Sequence, residues 1–191
     1  MWSPVVTTVA PTSEPVTLLE AKQFCSIDAT IDEFDTLLTG FITAARQQAE
    51  AETGTRFVEQ TIVMRASSFA DLASLPIGPI LAISEIVYDD VSGVEQTLAP
   101  ADYELAGAGL DQSIRPAFGV TWPTPRSVAG SIRITATAGY DGLPLPIWTA
   151  MLLMISDLFT FRETAVTGTV AQKVPVNTTV RAMLDNHRIW L

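Results

Sequence analysis

Histidine and cysteine are nearly missing from this sequence: one of each, His187 and Cys25, in 191 residues. A single cysteine excludes an intrachain disulfide, and a reducing compartment is the simplest setting. A lone histidine near neither a cysteine nor a second histidine is a poor metal ligand, so His187 reads as a surface or interface residue. A thiol nucleophile needs a base, and the sole imidazole lies at the other end of the chain. Cys25, among apolar neighbours, therefore reads as a buried structural thiol.

Positive charge is scarce as well. Eleven lysines and arginines face 21 aspartates and glutamates, a net charge of −10. Gripping nucleic acid by its phosphates takes a basic surface, so that mode is excluded. A wall that DNA slides past is not, because acidic surface repels phosphate and prevents sticking. The segment after Met1, WSPVVTTVAPTSEP, has neither the basic nor the long apolar stretch of a signal peptide. The apolar run at 143–155 falls short of the about 20 residues a membrane span needs, contains Pro144 and Pro146, and runs into Asp157. No glycine pattern links a strand to a helix as a phosphate loop requires, since Ala106-Gly107-Ala108-Gly109 joins two short strands. No Gly-x-Ser-x-Gly elbow occurs, and there is no internal repeat.

Apolar residues, by contrast, make up 48% of the chain and charged residues only 17%. A chain of this length suits one domain with arms and hides roughly 70% of its unfolded surface. The apolar excess points to cover from other subunits.

Residues 1–16 hold Pro4, Pro11 and Pro15 among threonine, valine and serine, and read as an extended or disordered arm. Thr17 and Glu20 have the spacing of a capping box opening a short helix over 18–27, which 28–30 break. A second helix is predicted over 31–53. Ile31, Phe34, Leu38, Phe41, Ala45 and Ala49 form its apolar stripe, with Asp32, Asp35, Thr39, Thr43, Gln47 and Glu50 opposite. Gly54 ends it. The period then changes to two. Strands are predicted at 58–65, 80–88, 94–98, 102–105, 110–115 and 131–138, with a turn at Asp89-Asp90-Val91-Ser92-Gly93. Residues 118–128 read as a loop. Pro144 and Pro146 open an apolar helix over 147–162, 164–173 read as a weakly structured link, and a last helix spans 176–188, capped by Asn177 or Thr178. The fold class is α+β: mostly helical, with an N-terminal helix pair and C-terminal helices around a small antiparallel sheet, and extended terminal arms. The organisation is an arm at 1–16, a core domain at 17–163, and a linker with C-terminal helix at 164–191.

Carboxylate groups are the remaining chemical candidates. Asp32, Glu33 and Asp35 fall at a helix start, where acids complement the dipole. Asp89 and Asp90 fall in a hairpin turn. Both sets read as structural, so no catalytic residue, cofactor site or metal site is expected. Trp148 reads as core. Trp2 and Trp190 in the terminal arms, and Trp122 in a loop, read as partner contacts, against the alternative that they pack on their own domain.

The order of LPIGPILAISEIVYDD, ADYEL, IRITATAGYDGLPLPIWTAMLLMISDLFTFRE and VRAMLDNHRIWL resembles the head–tail connector (adaptor) family of long-tailed bacteriophages and related phage-derived gene transfer particles. The matching positions are Leu75, Pro76, Pro79, Ile83, Ile86, Tyr88, Asp89 and Gly93. They continue with Tyr103, Ala138, Gly139, Pro146, Arg162 and Glu163, then Leu184 and Arg188. His187 stands where a tyrosine often precedes the arginine. The resemblance covers about residues 17–188.

It implies a non-enzymatic virion protein, made in the bacterial host cytoplasm. Its subunits would form a ring, commonly of twelve, beneath the portal, extending the DNA channel used in genome packaging. They would offer a platform to a stopper or other tail-proximal protein, without binding DNA specifically and without a membrane. In that setting the tail residues Arg181, Leu184, Arg188, Ile189, Trp190 and Leu191 are expected at the portal, with Trp2 and Trp122 as further contacts. Asp32, Asp35 and Glu50 are expected to face the channel. Two other classes stay open: a DNA-binding regulator using the N-terminal helix pair, and a hydrolase with a dispersed site.

Overall fold

The computed structural model describes residues 1–161 and 178–190. The chain folds into two compact units, and each is built from segments distant in sequence. One takes in Met1–Thr12, Gly54–Asp141 and the tail residues Ile189 and Trp190; the other takes in Ser13–Thr53 and the described part of Gly142–Arg188.

The first unit is a sheet structure. Its strands are β1 (Val6–Val9), β2 (Gln60–Ala66), β3 (Ile80–Asp89), β4 (Glu95–Thr97), β5 (Tyr103–Ala108), β6 (Asp111–Pro116) and β7 (Ile132–Ala138). Five of them form a sheet in the order β1-β2-β7-β3-β4, every neighbour antiparallel. β5 and β6 form a separate hairpin. The arm over 1–16 thus contributes an edge strand, with Val6 opposite Val63 and Thr7 opposite Ile62.

The central strand β7 explains the layout. Ile132, Ile134, Ala136 and Ala138 point one way and are fully buried, alternating with half-buried Arg133, Thr135 and Thr137. Period-two alternation of this kind lays one apolar face on a core. In β2, Ala66, Met64 and Ile62 stand opposite Ile132, Ile134 and Ala136. From β3, Tyr88, Ile86 and Ile83 meet the same three residues. The apolar positions of β3 are spaced three, three and two apart, which a plain strand cannot place on one face. Two register shifts, between Ile80 and Ala82 and between Ile83 and Glu85, absorb the extra residues. Leu81, at the first of them, is left 42% exposed. Bulges turn an uneven pattern into a continuous stripe.

The hairpin of β5 and β6 is tied to this sheet by one side chain. Gln112 Oε1 accepts from the Ile80 amide at 2.6 Å, and its Nε2 donates to the Ile80 carbonyl at 2.9 Å. The carboxamide thereby satisfies the backbone of Ile80 as a neighbouring strand would.

The second unit is helical: α1 (Leu18–Phe24), α2 (Asp35–Thr53), α3 (Leu145–Thr160) and α4 (Thr178–Asp185). α2 packs on the other three helices, and α3 also contacts α1 and α4. Thr17 and Glu20 form the predicted capping box. α1 ends in a Schellman motif, with the Ile27 amide on the Lys22 carbonyl at 2.9 Å and the Ser26 amide on that of Gln23 at 3.2 Å. Ser26 occupies the left-handed position at φ 57°, where glycine is the usual choice. α2 starts at Asp35, not at 31, because 28–34 turn instead. Asp28 Oδ1 accepts from the amide and the hydroxyl of Thr30, and the Asp35 amide donates to the Asp32 carbonyl. Ile31 is correspondingly exposed and outside the stripe, which consists of Leu38, Ile42, Ala45 and Ala49. Fully buried Ala21, Ala45, Ala49 and Ala150 are small enough for close helix approach. Phe34 meets Phe159 edge to face at 5.5 Å.

α3 begins at Leu145, earlier than predicted, with Pro146 in its first turn. Its Ile147, Ala150, Met151 and Ile155 are completely buried. The expectations for 162–177, including Arg162, Glu163, the link at 164–173 and Asn177 as a cap, lie outside the described residues, and Thr178, the other cap expected, is the first residue of α4. No described helix is long and apolar enough to cross a membrane.

Two stability outcomes follow. Ile134→Ala removes the residue flanked by Met64 and Ile86 and should cost about 2–5 kcal/mol. Calorimetry should then show the sheet unit's melting midpoint roughly 10–25 °C lower. Ser26→Gly relieves a left-handed non-glycine residue and should gain about 1 kcal/mol in the helical unit, read as a higher midpoint in the same measurement.

Candidate functional site

Among the described residues no three histidine, cysteine, aspartate or glutamate side chains come together as a metal set. The carboxylates of the Asp89–Asp90 turn have structural partners. Asp90 Oδ1 accepts from the amides of Ser92 and Val94 at 2.8 and 3.0 Å, and Oδ2 accepts from Gln96. These bonds, led by the Val94 amide, hold its pKa below the ordinary value of 3.8. Asp89 Oδ1 accepts from Arg133 Nη2 at 3.1 Å, and the same nitrogen bonds Glu95. The Asp89 hydrogen bond above all holds the Arg133 guanidinium above its usual value. Burial pushes the Cys25 thiol up, which disfavours the thiolate.

The acids expected to face a channel divide three ways. Asp32 is exposed in the turn before α2. Asp35 is partly buried, with Lys22 Nζ at 2.5 Å from its carboxylate. Glu50 corrects the expectation: it is 5% exposed and does not face solvent. Its Oε2 takes Arg46 Nη1 at 3.1 Å, while Arg46 Nε reaches Glu14 at 2.7 Å. Burial would lower the Arg46 value, but Glu14 and Glu50 outweigh it and hold the guanidinium above its ordinary range. One cation between two carboxylates lets this face of α2 go inside.

Lys22 is equally buried. Besides the ion pair with Asp35, its ammonium donates to the carbonyls of Ile31 at 2.7 Å and Ala29 at 3.3 Å. The α1–α2 pair therefore has no exposed basic side chain, since Lys22 and Arg46 are its only bases. A helix pair of this kind cannot hold a phosphate backbone.

The expected partner contacts are also divided. Trp2 packs against the sheet core, donating Nε1 to the Ser74 carbonyl at 2.9 Å. Trp122 stacks on Phe69 with ring centres 4.7 Å apart and planes 11° from parallel. Both pack on their own unit, the alternative the sequence left open, because each ring finds an apolar neighbour there. Leu184 is 2% exposed and belongs to the core of the helical unit, which excludes it as a free contact. Ile189 is partly buried in the sheet unit. A β-carbon added at Gly54 or Gly78 would lie 3.6 or 3.7 Å from it, ordinary contact distance, so the side chain lies beside these two glycines. Arg181 and Arg188 are exposed, and Trp190 keeps 71% of its surface exposed. Arg181 lies 3.8 Å from Asp185. Leu191 lies outside the described residues.

Phe118 is the surface feature missed from the sequence. It is fully exposed, as are much of Val91, Val94, Val6 and Val9. A phenylalanine in a loop reads as core by composition; only Gly119 beside it signals a turn that could turn it outward.

No family model and no curated protein matches this chain. Solved structures do. A chain in the neck of an empty gene transfer agent particle, computed with C6 symmetry, has a TM-score of 0.77 at 18% identity, over 99% of this chain and 97% of that one. A chain in the virion of a native gene transfer agent particle scores 0.73 at 18% identity, over 98% and 96%. A chain in the neck of a native particle, computed with C12 symmetry, scores 0.65 at 22% identity, over 97% and 96%. The likeness is one of fold, and it runs the whole length of both chains.

Titration should isolate the Asp90 turn. A carboxylate with a lowered folded value stabilises fully above its unfolded value and loses that contribution as pH falls through the folded one. Protection of the Ser92 and Val94 amides, the intrinsic exchange rate at each pH over the observed one, should therefore be high at neutral pH and fall below about pH 4. Asp90→Ala should make it low throughout. PH-independent protection in the native chain would show that the carboxylate does not hold the turn.

Proposed function

We propose that this chain is a non-enzymatic ring subunit of the neck of a phage-like particle, a head–tail connector seated beneath the portal. The observation that carries the reading is the end-to-end fold likeness to chains of gene transfer agent necks and virions. The C6 and C12 symmetries of two of those structures fit an assembly of repeated subunits around an axis. A ring of this kind is closed by heterologous contacts, each subunit offering two different surfaces.

The chemistry of the chain agrees. Its polar clusters are turn locks and ion pairs, all built into its own fold. Its net charge of −10 suits a channel wall along which DNA passes without adhering. Of the acids first assigned to that wall, exposed Asp32 is the one free to act so, while Asp35 and Glu50 hold Lys22 and Arg46. The tail is the portal contact in this reading, with Trp190 as anchor and Arg181 and Arg188 beside it. Ile189 serves instead to fasten the tail to the sheet unit. A stopper or other tail-proximal protein would take the opposite side of the ring.

Negative-stain imaging of the purified chain mixed with the portal protein of the same particle tests this directly. The expected image is a closed ring on the channel axis, and no ring on any portal would sink the reading. Deleting the residues after Asn186 should abolish portal capture with the far-ultraviolet circular dichroism unchanged. Trp190→Ala should weaken capture at least tenfold while leaving Ile189 in place; undiminished capture would remove the tail from the portal contact.

A further inference from the structure

Phe118 is held out in water by a rigid support. The Val120 amide donates to the Ala117 carbonyl at 2.9 Å, and Gly119 has φ +79°. Phe118 keeps the ordinary negative φ, so the four residues have the signature of a type II turn with Phe118 at its corner. Both flanks are fixed. The Ala117 amide donates to the Asp102 carbonyl at 2.9 Å, and Trp122 stacks on Phe69. The same short loop turns one aromatic ring into the core and presents the other completely to solvent. An exposed ring on a pinned turn loses little conformational freedom on docking, the property of an interface anchor.

Charge identifies the partner class. Each copy of this chain carries −10, so two copies meet with least repulsion through uncharged surface. A different protein is free to supply bases and could be met through the acids. Residues 116–125 carry no charged side chain, and Phe118 is the fully exposed member of that stretch. Resting on the ring reading above, we infer that Phe118 anchors the lateral contact between neighbouring copies, inserting into a different surface of the next subunit.

The test replaces Phe118 by the photo-crosslinker benzoylphenylalanine in the full chain, assembled on its portal. Irradiation should yield an adduct of twice the chain mass, with both peptides from this sequence. An adduct with any other protein, or none although rings form, overturns the inference and leaves the ring reading standing. Phe118→Ser should raise the concentration needed for rings at least tenfold without shifting the melting midpoint. Rings at the native concentration overturn the inference. If the native chain forms no ring, the ring reading fails and this contact fails with it.

Discussion

The structure of the sheet unit depends on β7 having no free edge. It is paired along its length to β2 on one side and β3 on the other. Its four inward residues are completely buried, so neither neighbour can slip by one position without exchanging core for solvent side chains. Everything else in that unit adapts to it. β3 takes two irregularities to match its register, and Gln112 completes the backbone bonding of Ile80 at its start. At the same end of β7, Gly139 follows Ala138 at φ 151°, where a β-carbon would lie 2.6 Å from the Glu59 nitrogen. No other residue fits there, so the close approach of the chain after β7 to the segment before β2 depends on the missing side chain.

The helical unit solves a different problem. α2 buries an i, i+4 row that includes Arg46 and Glu50, and α1 buries Lys22. Bare charges in such positions would be prohibitive; here each cation meets carboxylates or carbonyls at hydrogen-bond distance. Several of the chain's few bases are thereby consumed in holding it together. Arg133 alone holds two acids. The acid excess outside these pairs is a consequence of composition, 21 acids against 11 bases, since the pairs themselves take up more acids than bases.

Periodicity made much of this legible. The capping box at Thr17, the strand at β7, the turn at Asp90 and the buried helix α3 all follow from local spacing, because each depends on neighbours in sequence. Reading by period could not find what distant segments decide. Val6–Val9 reads as an arm, since four residues between prolines show no alternation against a core; β2 supplies the pairing that makes them a strand. Glu50 reads as solvent-facing until Glu14 and Arg46 are seen around it. Trp2, Trp122 and Ile189 read as outward anchors because loops and tails usually are exposed. Ser74, Phe69 and the bare backbone at Gly54 and Gly78 give them inward places instead. Phe118 is the inverse case, an apolar residue whose turn faces it away from every core.

These reversals bear on how such a chain would assemble. Aromatic content alone marks too many residues as contacts, and the fold subtracts those it uses itself. After that subtraction exposed apolar groups remain in both units: in the sheet unit Met1, the valines of β1 and of the β3–β4 turn, Leu81, Phe118, Val128 and Trp190, and in the helical unit Leu19, Phe24, Ile31, Leu37, Leu145 and Phe161. They are spread over turns, an edge strand, helix surfaces and chain ends. A chain that offers several small and separate contacts, each weak by itself, gains stable association when a closed ring satisfies them together. Among the described residues buried charges are paired inside the fold, while Ser131 Oγ is a buried hydroxyl without a hydrogen-bond partner. In the proposed ring, the exposed apolar groups would be covered by neighbouring subunits.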